Sequence, residues 1–184
     1  MKILIKNGRV IDPASGIDAI QDILVENTKI SAVAKKLKAK ADKIIDASQK
    51  IVMPGIIDMH VHLREPGRED KETIASGTAS ALKGGVTSVL AMANTTPAID
   101  CPENVEQLKK IIQRTAQANV LVAAAITVGR LGKKATEVAA LKKSGVAAIS
   151  DDGNSVDDAQ VFLDALKKAK QNKMFVIYHS EDRA

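Results

Sequence analysis

Aromatic side chains are nearly missing from this 184-residue chain, which has no Trp, one Tyr and two Phe, 2% in all. A core must therefore be packed from Ile, Val, Leu and Ala, and a surface that stacks successive bases on aromatic rings is excluded. Cysteine is reduced to Cys101 alone. One thiol cannot close an intrachain disulfide, which points to a reducing compartment and makes the cytoplasm the expected location. Nowhere do about 18 apolar residues run uninterrupted, and the N-terminal stretch Ile3, Leu4, Ile5 is short, so neither a membrane span nor a signal peptide is expected. Histidine is scarce too, with three in total. Two of those three stand two residues apart.

What is present is ordinary for a globular protein, 45% hydrophobic and 27% charged residues. The net charge of +5 comes from lysines spread along apparent helix faces, without aromatic neighbours. This reads as a solvated surface, and no nucleic-acid partner is expected.

Residues 1–53 read as short strands, 2–6, 9–11, 23–26, 29–34, 43–46 and 50–53, punctuated by Asn7-Gly8, Asp12-Pro13 and Asn27. The pattern is of antiparallel type, the N-terminal portion of a small β-sandwich. From 54 to 184 the rhythm changes to strand, helix, strand. A helix over 71–83 would bury Ile74, Thr78, Ala81 and Leu82 and stop at Gly84-Gly85. A strand over 86–93 precedes a helix opening near Asp100, with Glu103 completing a capping box, Pro102 in the first turn, and Val105, Leu108, Ile111 and Ile112 on one face. Strand 120–127, helix 135–143, strand 146–149, a helix from Asp157 to about 170 and strand 174–178 follow.

Five strands alternating with four helices predict an α/β fold, either a partial TIM-type (β/α)8 barrel or an open doubly wound sheet. Polar residues at the strand ends favour the barrel: His60, His62 and Arg64, then Asn94, then Asp151 and Asp152, then His179. A barrel gathers those ends around one mouth. Because a (β/α)8 barrel takes about 250 residues and only about 130 follow the leader, three strands are expected outside the chain.

The stretch from Pro54 to Gly67 (Pro-Gly-Ile-Ile-Asp-Met-His-Val-His-Leu-Arg-Glu-Pro-Gly) is the focus. An apolar run ending in His60 and His62 predicts a buried strand whose alternate side chains face one way, so both imidazoles can converge on one metal ion. The plain alternative is a pair of half-buried histidines. Arg64 adds a planar five-donor fork suited to a carboxylate.

At these residues the sequence resembles the dihydroorotases of the amidohydrolase superfamily, the bacterial and archaeal type with the His-Val-His-Leu-Arg-Glu-Pro-Gly signature. The resemblance runs the length of the chain, through Lys6-Asn7-Gly8-Arg9, Asp22-Ile23-Leu24-Val25, Lys71-Glu72-Thr73, Gly84-Gly85-Val86-Thr87, Met92-Ala93-Asn94-Thr95, Ser150-Asp151-Asp152-Gly153 and His179-Ser180-Glu181-Asp182. Ala93 departs from the pattern, which usually has proline there. The resemblance implies a Zn2+ pair, with His60 and His62 on the first ion, His179 on the second, and Asp152 bridging, Asp151 being the alternative bridge. It places His62, Arg64 and Asn94 on the substrate. No catalytic acid/base is expected in this chain; that aspartate, and a further histidine ligand, would lie on strands beyond it. The implied reaction is metal-assisted hydrolysis of a cyclic amide, interconverting dihydroorotate and N-carbamoyl-L-aspartate in pyrimidine biosynthesis. Allantoinases usually have Asn at the position of Arg64, and dihydropyrimidinases lack the Arg-Glu-Pro-Gly tail. A homo-oligomer is implied for the complete protein. The competing reading is a non-catalytic scaffold for aspartate transcarbamoylase, which would need no zinc.

Overall fold

The computed structural model describes residues 1–181 and divides into two compact units, Met1–Pro54 and Gly55–Ala184. Asp182, named in the last motif, lies outside the described residues.

The first unit holds β1 (Lys2–Asp12), β2 (Ile17–Glu26), β3 (Lys29–Ala34), β4 (Lys43–Asp46) and β5 (Ile51–Val52). The order is β3-β2-β1-β4, with β5 also on β1. β1, β2 and β3 pair antiparallel, as their short turns require, but β4 and β5 run parallel to β1, so the sheet is mixed and not antiparallel throughout. Asn7-Gly8 is not a turn either. It is a bulge in a continuous β1, with Asn7 at φ 62° and the register slipping between Ile5 and Gly8. The Asn7 N–H donates to Asp22 Oδ1 at 2.9 Å, and a side chain at Gly8 would put Cβ 2.6 Å from Val52 Cγ2.

The second unit is built from β6 (Ile56–Val61), α1 (Ile74–Lys83), β7 (Val86–Ala91), α2 (Pro102–Thr115), β8 (Asn119–Ala124), α3 (Val138–Lys143), β9 (Ala148–Ile149), α4 (Ala159–Gln171) and β10 (Phe175–Val176). Its sheet, ordered β10-β9-β8-β7-β6 and parallel at every pairing, is a curled half-barrel. Strand alternation divides its residues between two faces. Val89, Ala91, Val122, Ala124 and Ile149 pack with Ile74, Leu108, Leu141 and Ala165 of the helices, whereas Leu90, Met92, Ala123 and Ala148 form a separate small cluster.

Helix starts differ from the sequence reading by a residue or more because the caps differ. Thr73 caps α1 in a reciprocal pair with Ser76, so the helix begins at Ile74 and leaves Leu82 40% exposed. Cys101, not Asp100, is the N-cap of α2, since the Asp100 carboxylate accepts from Asn104 Nδ2 and from the Gly129 N–H. Asp158, not Asp157, caps α4 through the Gln160 and Val161 N–H groups. β6 departs most. It was expected to be buried, yet Ile57 is 63% and Met59 50% exposed, because β6 pairs with β7 and has no strand on its other side among the described residues. Among those residues no helix is long and apolar enough to cross a membrane.

Candidate metal centre

The end of β6, the turn after β7 and the turn after β9 meet at one point. His60 Nε2 lies 3.1 Å from Asp152 Oδ1, and His62 Nε2 lies 3.4 Å from Asp152 Oδ2. Each of the three residues offers one ligand atom within 4.8 Å of the others. A tetrahedral ion with bonds of about 2.0–2.1 Å separates its ligand atoms by about 3.3 Å, so these contacts are spaced like edges of a coordination tetrahedron. The donor set of two imidazoles and a carboxylate suits zinc or a similar divalent ion. Asn94 Oδ1 sits 3.1 Å from His62 Nδ1. With that oxygen accepting, the proton is on Nδ1 and the Nε2 lone pair is left facing Asp152.

The two adjacent aspartates do different work. Asp151 is 1% exposed, and its Oδ1 accepts the Ile126 N–H at 2.8 Å and the Thr127 N–H at 3.1 Å, while Oδ2 accepts the Thr127 hydroxyl. Burial holds its carboxyl above the usual aspartate range and outweighs those hydrogen bonds. Both oxygens are committed to the end of β8. Asp152 instead turns its oxygens to the histidines. Above the same turn lies Arg130, whose Nη2 donates to the main-chain carbonyls of Asp151, at 3.3 Å, and Asp152. Burial lowers the pKa of this guanidinium, against the attraction of the two aspartates.

A family model described as dihydro-orotase-like matches residues 49–184. The chain belongs to this family. It is 51% identical over 182 residues to a dihydroorotase of Elusimicrobium minutum (strain Pei191) and 45% identical over 182 residues to one of Bacillus cytotoxicus (strain DSM 22905 / CIP 110041 / 391-98 / NVH 391-98). Each alignment covers 99% of this chain and 42% of the relative, so the chain spans under half the length of these dihydroorotases. In fold it resembles the L-hydantoinase (dihydropyrimidinase) from Arthrobacter aurescens, with a TM-score of 0.85 over 98% of this chain and 41% of that one, at 20% identity.

Within this dihydro-orotase-like chain, the residues singled out in the sequence fall as follows. His60, His62 and Asp152 come together; Asn94 touches His62. Arg64 follows β6 at φ 61°, and its half-buried guanidinium has no ion pair or side-chain hydrogen bond among the described residues. His179 follows β10 but is not in the cluster, and its Nε2 faces Glu181 Oε2 at 3.3 Å. Glu65 of the signature is structural here, its Oε2 accepting the Ile74 N–H at the start of α1. Arg130 is the functional candidate that the sequence reading missed. The signal available was its position in Thr127-Val128-Gly129-Arg130 just past the third strand of the unit, the same end at which every other candidate lies.

Proposed function

We propose that this chain carries part of the active site of a zinc-dependent cyclic amidohydrolase that interconverts dihydroorotate and N-carbamoyl-L-aspartate, a step of pyrimidine biosynthesis in the cytoplasm. The observation that carries the proposal is the convergence of His60, His62 and Asp152 from two distant parts of the sequence. Family membership and the two named dihydroorotases support the substrate class. Because the chain matches 42% of those relatives, the activity is proposed for the whole protein, with residues 1–53 as part of a small β-domain and 54–184 as the first part of a (β/α) barrel.

His60, His62 and Asp152 would hold one ion, and His179, whose Nε2 faces Glu181, would serve a second. Bound divalent zinc supplies a Lewis acid for a ring carbonyl and a route to a nucleophile at neutral pH. The chain's own part is to bind and orient. The Arg64 guanidinium, without an ion pair among the described residues, presents a fork for the substrate carboxylate, and shortening it should cost about 2 to 5 kcal/mol of substrate binding if the pair is desolvated. Asn94, whose oxygen is turned to His62, retains its amide N–H groups for the same carboxylate. The proton transfer to the leaving nitrogen is assigned to an aspartate beyond these residues.

The test is zinc content after dialysis, paired with dihydroorotate hydrolysis by the whole protein. Stoichiometric zinc and turnover are expected, with Arg64→Asn weakening dihydroorotate far more than an uncharged cyclic imide. Absence of zinc uptake would overturn the proposal and favour a scaffold subunit.

A further inference from the structure

The Asp152 carboxylate can point at two imidazoles on another strand only if its main chain is held, since a turn that rotates would swing the side chain away. Two peptide planes flank its Cα. The carbonyl of Asp151 belongs to the plane before it and the carbonyl of Asp152 to the plane after it, and a single nitrogen, Arg130 Nη2, donates to both. With both planes tied to one point, rotation about the backbone dihedrals of Asp152 is restrained, which leaves the side-chain rotation as the main freedom. We propose that Arg130 is a positioning residue of the metal centre, its guanidinium setting the direction of the Asp152 carboxylate by gripping the two carbonyls around it. The inference rests on the reading of His60, His62 and Asp152 as metal ligands.

Arg130 is itself held from several sides. It sits beside Gly129, both in the left-handed region at φ 59° and 61°. The Gly129 N–H donates to Asp100 Oδ2 at 2.8 Å, and Asn154 Nδ2, just beyond the Asp-Asp-Gly turn, donates to the Arg130 carbonyl at 3.0 Å. The two loops thus grip each other reciprocally. Arg130 Nε is buried without a hydrogen-bond partner among the described residues, a cost that a purely solvated arginine would not incur. Placing a cation near a divalent ion also opposes metal binding by simple Coulomb repulsion. The buried Asp151 carboxylate, on the same turn, offsets that charge. Electrostatics and positioning therefore predict opposite signs for removal of the guanidinium.

The test measures Co2+ affinity of the intact protein by chelator competition, together with the visible ligand-field absorption of the bound ion. Removing a partner that orients a ligand typically weakens metal binding about 10- to 100-fold. Arg130→Met is expected to lose affinity in that range, despite losing a positive charge, and to change the absorption band; Lys133→Met, a nearby exposed cation, should change neither. Should Arg130→Met not fold, Arg130→Leu, which likewise removes both the charge and the donors, is judged by the same two criteria. Unchanged or tighter Co2+ binding with an unchanged band would overturn the positioning role and leave the metal centre standing. Wild-type protein that takes up no Co2+ would overturn both.

Discussion

The two sides of the candidate centre are built to different standards. On the β9 side, Asp151 and Asp152 lie on a turn whose donors and acceptors are matched to the end of β8 and to Arg130, in a region where Ala123 to Thr127 and Ala148 to Ser150 are fully buried. On the β6 side, His60 and His62 lie on and just beyond a strand that is at the sheet's edge among the described residues and has exposed apolar side chains, and the His60 N–H is taken by the carboxylate of Asp58 at 3.0 Å. The carboxylate is therefore set in advance by contacts within these residues, whereas the strand that carries the imidazoles has one neighbour, β7, among the described residues. An ion bound between them would tie the loose side to the firm one.

The largest expected effect separates metal binding from stability on the loose side. Replacing both His60 and His62 by Ala should abolish zinc retention by elemental analysis, while the metal-free protein should lose about 1 kcal/mol or less of stability, because His60 is exposed and His62 is only half-buried. A large loss of metal-free stability would mean that β6 is as firmly built as β9. The reverse is expected across the site. Asp151→Ala strands the Ile126 and Thr127 N–H groups and the Thr127 hydroxyl in a dry interior, and buried donors left unpaired cost about 1 to 3 kcal/mol each, so urea unfolding should show a loss of about 3 kcal/mol or more. A loss no greater than that of the histidine variant would erase the contrast.

The same contrast governs what could be read from the sequence. The strand and helix order of the second unit was legible because periods of 2 and 3.6 and the glycine stops are local properties of the chain. The residues Ile56–Val61 alone read as buried, and their exposure follows from the strand count instead, since five strands of an eight-stranded barrel leave the first without its second neighbour among the described residues. Asp151 and Asp152 are indistinguishable as letters. Only the way the chain leaves β9 turns the first into the buried acceptor for β8 and the second towards the histidines. Arg130 escaped for a related reason: its partners are main-chain carbonyls 21 and 22 residues away, which carry no side-chain signature. In the leader, Asn7-Gly8 has the composition of a hairpin turn, and pairing on both sides of β1 converted it to a bulge.

A smaller effect should appear in hydrogen exchange. In the 184-residue chain without metal, amides of β6 are expected to exchange faster than those of β8, and saturating zinc should slow β6 selectively, because a ligand stabilises most the region that must order to bind it. Equal protection of both strands before and after zinc would show that the edge strand is not the loose partner.

The smallest expected effect concerns the one contact that steadies an imidazole from its far side. The His62 ring can carry its proton on either nitrogen, and only the form with Nδ1–H leaves Nε2 free to bind an ion. Asn94 Oδ1, 3.1 Å from Nδ1, selects that form and also fixes the ring plane. Asn94→Ala removes the acceptor without touching His60, Asp152 or the β9 turn, so two of three ligands stay in place and the third pays only for choosing its tautomer. The expected loss is about tenfold in zinc affinity, about 1.4 kcal/mol, at the lower end of the range for partners that orient metal ligands. Asn94→Asp, which keeps an acceptor at that position, should recover most of it. If Asn94 served the substrate carboxylate alone, both variants would leave zinc affinity at the wild-type value and alter only the KM for dihydroorotate in the whole protein, with the aspartate the worse of the two because it sets a negative charge against the substrate's own. The order of the two variants in zinc affinity against their order in KM therefore separates a residue that holds His62 from one that only holds substrate.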